Sequence, residues 1–468
     1  MYGLQREQRR QDGNWIRAMS STTEASNLEL IGDDLESPGY QDYDDRGQAE
    51  GQTQTRRPMM LAGICALTLF FTPQILQLFP GLEGFQIAKV TAIAVMLMFL
   101  TSRGSWSSRV RLGDAPQLKC IIALLVLGTL TIPLAEWPSA SFHYITDVYI
   151  KNVIFVYLLA QGIRSDRDCR VVAGVLTLGS TLLVLAILTG IGPLAVAKTD
   201  PNRLSVGGTY DSNDLALLFV VTIPFAFFLL KPSRPLIRVF LMASIVLMLI
   251  GMLKTGSRGG FLGLLAIGFL IFWRGSRQAR KYTLITVALG ASLFAVAAPK
   301  YYWERIGTIF NYQEDYNINE QTGRLTIWKA GLGMIAERPL TGIGIACFNY
   351  AEGRINHSKL QQSPHNSFIQ SAAELGLPGG FLFLAIIVCS VRMARRIRRA
   401  LQAAGDQSIW FASAVEVGFL GFAVSGFFLS HAYSGIFCFL AGIGAVLQAR
   451  YGSSSVLAEP EPEEIEYA

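Results

Sequence analysis

Apolar runs of membrane-spanning length follow one another along most of this chain, each ended by a short polar break. A bilayer core takes about 20 apolar residues of helix, and such runs fall near 59–79, 84–101, 118–136, 145–163, 171–192, 213–230, 235–253, 258–273, 282–299, 377–394, 409–429 and 432–449. The fourth is interrupted by Asp147 and Lys151, and the eighth is short and rich in glycine. One long polar stretch, 300–376, separates the ninth run from the tenth. Before the first run, residues 1–57 lack sustained periodicity and hold the Gly-, Asp- and Gln-rich segment GDDLESPGYQDYDDRGQAEGQTQTRR, which predicts a disordered cytoplasmic tail. After the last run, 451–468 end in the acidic EPEPEEIEYA, a solvated cytoplasmic tail. The predicted fold is therefore an all-α polytopic membrane protein of about twelve transmembrane helices over 58–450, with a long outer-face loop containing amphipathic helices.

Composition supports that pattern. Charged residues make up 16% of the chain and hydrophobic ones 51%, where a soluble domain carries about 25% charged residues. The net charge is +6, but the basic residues gather at helix ends rather than on one face. They predict topology and contact with anionic lipid headgroups, not nucleic acid. With the N-terminus inside, each expected inner loop is basic, from Arg56 and Arg57 through Arg164, Arg167 and Arg170 to the Arg392–Arg399 group. Both termini are then cytoplasmic, and 300–376 faces the periplasm or exterior. No signal peptide core precedes the first run, which serves as the targeting signal itself. The six cysteines are isolated and mostly apolar in setting, so neither a zinc site nor a disulfide framework is expected. On the expected outer face no DxD or metal-ligand cluster stands out, and no Walker or dinucleotide glycine motif is present, so the predicted chemistry needs no metal or cofactor.

The short outer loops break the charge bias with Lys198, Arg203, Lys254 and Arg258. Arg258, in KTGSRGG, stands at the start of the eighth run. Its guanidinium, the helix N-terminus behind it and flanking glycines that let a ligand approach the backbone suit a phosphate-like anion; the alternative is an arginine snorkelling to the interface. Arg324, in TGRLTIWKAGLGMIAERPLTGIG, opens a predicted amphipathic helix to about Arg338, capped by Thr322 or Gly323. Ile327, Leu332 and Ile335 are expected on one face, with Trp328 nearby. A cation in the first turn opposes the helix dipole unless an anion meets it. His365, in SPHNSFIQSAAELGLPGG, is a candidate general base, with Asn366 to orient it or a hydroxyl; a helix-capping polar pair is the other reading. Arg203 and Asp211 lie in AKTDPNRLSVGGTYDSNDLALLF, where Asp211, Asn213 and Asp214 either cap a helix or bind sugar hydroxyls. Tyr301, Tyr302, Trp303, Tyr312, Tyr316 and Tyr350 form an interfacial belt or stack on sugars. His357, His143 and His431 are weaker candidates, the last two structural or interfacial.

Taken together, TGSRGG before an apolar helix, GRLTIW in the long outer loop and PHNSFIQSAAELGLPGG at its end resemble the O-antigen ligase and polymerase superfamily over roughly 200–445. That resemblance implies an integral-membrane glycosyltransferase of the bacterial inner membrane. It would move a glycan from undecaprenyl diphosphate to a hydroxyl acceptor, a lipid A–core or a growing polysaccharide, without metal or nucleotide sugar. By the same resemblance Arg258 and Arg324 match the arginines that hold the diphosphate, His365 the base, and Arg203 and Asp211 a less fixed part of the pattern; Asn366, Asp211 and Trp328 are possible sugar or acceptor contacts. The chemistry is consistent with this. Two arginines stabilise a departing lipid diphosphate, a histidine takes the acceptor proton, and the diphosphate linkage supplies the energy. Ligation, polymerisation and protein O-glycosylation share these motifs. A rival of another class is a permease for a small anion, which inverted repeats and charges at mid-membrane would favour. No clear internal repeat is found, and only Lys89, Asp147 and Lys151 interrupt the apolar runs in that way.

Overall fold

The computed structural model describes residues 58–101, 110, 115–190, 194–197, 200–206, 210–274, 323–356 and 361–452, with scattered helical positions between 277 and 292. The helices are α1 Pro58–Phe71, α2 Ile87–Thr101, α3 Pro116–Leu130, α4 Pro138–Tyr144, α5 Ile150–Gly162, α6 Asp166–Thr189, α7 Ser212–Leu229, α8 Pro235–Thr255, α9 Arg258–Arg274, α10 Arg324–Glu337, α11 Phe348–Ile355, α12 Ser367–Ala403, α13 Ile409–Gly426 and α14 Gly435–Tyr451. Among the described residues, α6, α7, α8, α12 and α13 are long and apolar enough to cross a bilayer, and α1, α2, α3, α9 and α14 are shorter apolar helices. Most of the predicted ninth run, the first part of the outer loop with Tyr301 to Tyr316, both terminal tails and His357 lie outside the described residues.

Two features depart from an all-helical reading. Residues Leu194–Ala197 (β1) and Asp200–Val206 (β2) pair antiparallel, Leu194 opposite Val206. This hairpin carries the backbone of Arg203. The fourth predicted run, 145–163, is not one regular helix but a π-helical turn Ile145–Tyr149 followed by α5, with α4 directly ahead of it. The wider turn lets the exposed Asp147 and half-buried Lys151 stay at the edge of the packed helices. Lys89 is exposed as well, so these charges line no buried path.

Side-chain caps set several helix starts. Ser165 and Asp168 form a reciprocal capping box on α6, Asp211 and Asp214 another on α7, and Ser434 Oγ accepts from Phe437 N at 3.3 Å at the head of α14. Each satisfies amides that the first turn leaves without a helical partner.

The centre of the bundle is α7, α13 and α14, which are apolar on nearly every side. Lipid is as apolar as leucine, so close packing rather than water exclusion holds such helices together. Small residues make the approach possible. A Cβ at Gly263 of α9 would fall 1.9 Å from Ser425 Oγ, and one at Gly421 of α13 would fall 2.5 Å from Ile267. Phenylalanines fill the rest: Phe383 and Phe437 lie 4.8 Å apart, Phe422 and Phe437 5.2 Å. At the other end of α12, buried Glu416 of α13 receives Arg395 Nε at 3.0 Å and Arg398 Nε at 2.9 Å, so the buried carboxylate keeps its countercharges.

α12 is broken by non-helical backbone at Leu375 and Gly376. The segment before α11 docks into this break. Ile343 N donates to Ala373 O at 3.0 Å, Gly344 N to Glu374 O at 2.9 Å, and Leu377 N to Pro339 O at 2.7 Å. Gly342 and Gly376 face each other across it, both with positive φ.

Candidate active site

The connection between α13 and α14, residues 427–434, gathers the candidate groups at one end of the bundle. Its first contact is with α9. Gly256, at φ 58°, ends α8, Ser257 Oγ accepts from Gly260 N at 3.2 Å, and α9 begins at Arg258. Ser425 Oγ, two residues before the connection, donates to Gly259 O at 3.4 Å. The glycines beside Arg258 were expected to leave room for a ligand. Instead protein fills the space: a Cβ at Gly259 would meet Phe428 at 2.8 Å, and one at Gly260 would meet Ala216 at 2.4 Å. They serve helix packing, and Arg258 is left half-buried at the head of α9.

The second contact is with α10. Gly323 precedes it without a side-chain cap, and Arg324 is its first residue. Ile327, Ala330, Gly331 and Met334 form the buried face. Leu332 is 57% exposed, against the expectation that it shares a face with Ile327. Five residues rotate a helix by about 140° beyond one full turn, whereas three or four return near the same side. Trp328, one turn after Arg324, packs edge-on against Phe427 at 5.4 Å. Its indole Nε1–H donates to Pro364 O at 3.0 Å, tying α10 to the residue before His365.

The third contact is with His365 itself. Its backbone N–H donates to Ser430 Oγ at 2.8 Å, and its φ of 45° lies in the left-handed region. For a residue with a Cβ this costs about 1–2 kcal/mol and persists only where the surroundings fix it. The imidazole Nε2 is 3.4 Å from Ser363 Oγ. Asn366 is buried, and its Oδ1 accepts from Phe368 N at 2.9 Å and Ile369 N at 3.0 Å, so the amide is used to start α12. Upstream, buried Glu352 of α11 accepts from Gln362 N at 2.7 Å and Asn356 Nδ2 at 2.9 Å, fixing the approach to Pro364.

The fourth contact was not anticipated. His431, 6% exposed, places Nε2 2.7 Å from Asp214 Oδ1 on the first turn of α7. Asp211 Oδ1 accepts from Asn213 N at 2.6 Å and Asp214 N at 2.9 Å, which is the capping use of this cluster. The sequence signal was an acidic capping box and a histidine in a turn, 217 residues apart, and nothing in either local pattern links them. At Gly259 beside Arg258, at α10, at His365 and at Asp214 the connection thus touches four elements. Arg203 stands on β2, and its side chain lies outside the described residues. Tyr350 of α11 stacks on Trp137 at 5.1 Å, beside an ion pair of Arg354 with Glu136. Among the described residues no group of His, Cys, Asp and Glu forms a metal-binding cluster.

Trp328→Phe keeps the ring packing but removes the bond to Pro364. A net loss of about 1 kcal/mol is expected, read as a small fall in the melting temperature of the purified protein.

Arginines at the starts of α9 and α10 and a histidine just before α12 stand on elements that meet the 427–434 connection of a bundle rich in apolar helices. Comparison with known families gives this arrangement its place: residues 243–384 match the family model described as O-antigen ligase, and that segment, with Arg258, Arg324, Trp328, His365 and Asn366 inside it, belongs to the O-antigen ligase superfamily. An uncharacterized protein of Haemophilus influenzae is 27% identical over 191 residues, covering 37% of this chain and 47% of that relative. The chain thus spans about half the length of the curated relative it matches. Asp211, Asp214 and His431 lie outside the matched family segment.

Proposed function

We propose that this protein is a lipid-linked glycan transferase of the bacterial inner membrane, acting at the outer leaflet on an undecaprenyl-diphosphate-linked glycan. The observation that carries the proposal is the convergence of the head of α9 at Gly259, next to Arg258, of Arg324's helix and of His365 on the 427–434 connection. Arg258 and Arg324 meet the diphosphate, where charge builds on the departing oxygen, and fixed cations near that oxygen lower the barrier. His365 removes the proton from the acceptor hydroxyl as it attacks the anomeric carbon. The bond from that carbon to the diphosphate oxygen breaks, and the lipid diphosphate leaves with the electron pair. Arg203 stands as a further diphosphate contact, and Trp328 and Asp211 as sugar contacts. With its side chain capping α12, Asn366 acts by holding His365.

The placement of charge along α12 supports an outer-face site. His365 precedes its first residue, and Arg392, Arg395, Arg396, Arg398 and Arg399 follow near its far end. From Leu377 to Arg399 the helix climbs roughly 30 Å, about one hydrocarbon thickness. By the positive-inside tendency the arginine-rich end is cytoplasmic. The acceptor is a lipid A–core or a growing polysaccharide; these share the same proton transfer and differ in what accumulates when transfer stops.

The test is complementation of a deletion strain with wild type, Arg258→Ala or Arg324→Ala, after equal membrane abundance is verified. Each variant is expected to lower long-chain surface glycan at least about tenfold. Accumulation of lipid-linked single units points to polymerisation, and accumulation of lipid-linked long chains points to ligation. Full restoration by both variants would remove the diphosphate role.

A further inference from the structure

We propose that Asp214 and His431 are a positioning pair that seats His365 without touching substrate. The inference rests on the base role proposed for His365, but its geometry stands independently. His431 Nε2 and Asp214 Oδ1 are 2.7 Å apart. The other ring nitrogen, Nδ1, is buried and has no hydrogen-bond partner among the described residues, so the ring has no open edge toward an incoming hydroxyl. What the pair does hold is backbone. Asp214 Oδ2 accepts from Asp211 N at 3.0 Å, which fixes the carboxylate to the first turn of α7. His431 N donates to Ser367 Oγ at 2.9 Å, and that hydroxyl donates to Leu429 O at 2.6 Å. Between these two anchored residues is Ser430, whose Oγ accepts from His365 N at 2.8 Å. The route from α7 to His365 is therefore a continuous series of short hydrogen bonds, with one peptide unit between His431 and Ser430.

His365 needs such a hold. Its left-handed backbone is not self-sustaining in a residue with a side chain, and a positive φ at a reacting group is kept only by surroundings that over-determine it. Ala432 N donates to Gln370 Oε1 at 3.2 Å, so the connection is pinned on both sides of His431. Loosening the Asp214 anchor shifts Ser430 and lets His365 relax. A displacement of 1 Å at a reacting group can cost about 100-fold in rate.

The experiment uses the full chain in lipid nanodiscs as wild type, Asp214→Asn, Ser430→Ala and Ser430→Thr. The first readout is independent of activity: the rate at which diethyl pyrocarbonate carbethoxylates His365, followed by mass spectrometry, with exposed His143 as the internal reference. Asp214→Asn and Ser430→Ala are expected to change that rate by about threefold or more, and Ser430→Thr, which retains the hydroxyl, to restore it. The second readout is transfer from undecaprenyl-diphosphate glycan extracted from host membranes. Here kcat should fall about tenfold or more with KM nearly unchanged, because only positioning is lost. An unchanged His365 modification rate in both Asp214→Asn and Ser430→Ala overturns the pair, whatever the transfer rate. Should Asp214→Asn fail to fold, the Ser430 variants decide alone. A changed modification rate with no transfer by wild type leaves the pair standing and removes the transferase function instead.

Discussion

Membranes carrying His365→Ala are expected to transfer glycan from a lipid-diphosphate donor about 10²- to 10⁴-fold more slowly than wild type, the contribution of one positioned general base. The backbone complicates that experiment, because φ is 45° at this residue and alanine is poorly suited to the left-handed region. Asparagine visits that region more readily and has no basic ring nitrogen. His365→Asn therefore separates chemistry from conformation: it should fold with a melting temperature close to wild type and still lose transfer. The Ser430 hydroxyl receives the backbone N–H at this position, a contact that either substitution retains. If His365→Asn kept more than half the wild-type rate, the base would have to be sought elsewhere.

Gly376→Ala is expected to cost about 2–6 kcal/mol and to leave little folded protein in the membrane. At φ 69° and ψ −177° this residue occupies a region essentially closed to side chains, at a cost of about 1–3 kcal/mol. A Cβ there would lie 2.7 Å from the carbonyl carbon and oxygen of Leu340 and 2.8 Å from Pro339 O. Those atoms cannot withdraw cheaply, because Leu377 N donates to Pro339 O; overpacking of this kind costs about 1–3 kcal/mol more. Gly174→Ala is the control. It lies inside α6, a Cβ there meets nothing within 4 Å, and alanine favours helix over glycine by about 1 kcal/mol. Thermal unfolding of detergent-purified protein should place the two variants on opposite sides of wild type, and equal melting temperatures would contradict the account of the break in α12.

The helix positions were legible in the sequence because apolar run length is a local property and the bilayer fixes its scale. The predicted run at 171–192 appears as Asp166–Thr189 and that at 409–429 as Ile409–Gly426. The motifs around Arg258, Arg324 and His365 are each contiguous, and all three fall inside the segment that matches the family model. What escaped was set by partners far along the chain. The glycines beside Arg258 looked like space for a ligand until Phe428 and Ala216 were found against them. Leu332 was assigned to the wrong face of α10 by a spacing of five. The Asp214–His431 contact joins residues 217 apart along the chain, and only the fold brings a capping carboxylate to a turn histidine. The β-hairpin at 194–206 was hidden within a stretch read only for its charges.

The eight residues 427–434 between α13 and α14 have no slack. Phe427 packs on Trp328, Phe428 on Gly259, Ser430 receives His365, and His431 meets Asp214. An insertion of one residue here would put every one of these contacts out of step at once, where an insertion in an ordinary surface loop disturbs little. That divides the chain into parts that can be lengthened and one that cannot. Segments that border these eight residues are expected to accept insertions that the eight themselves would not.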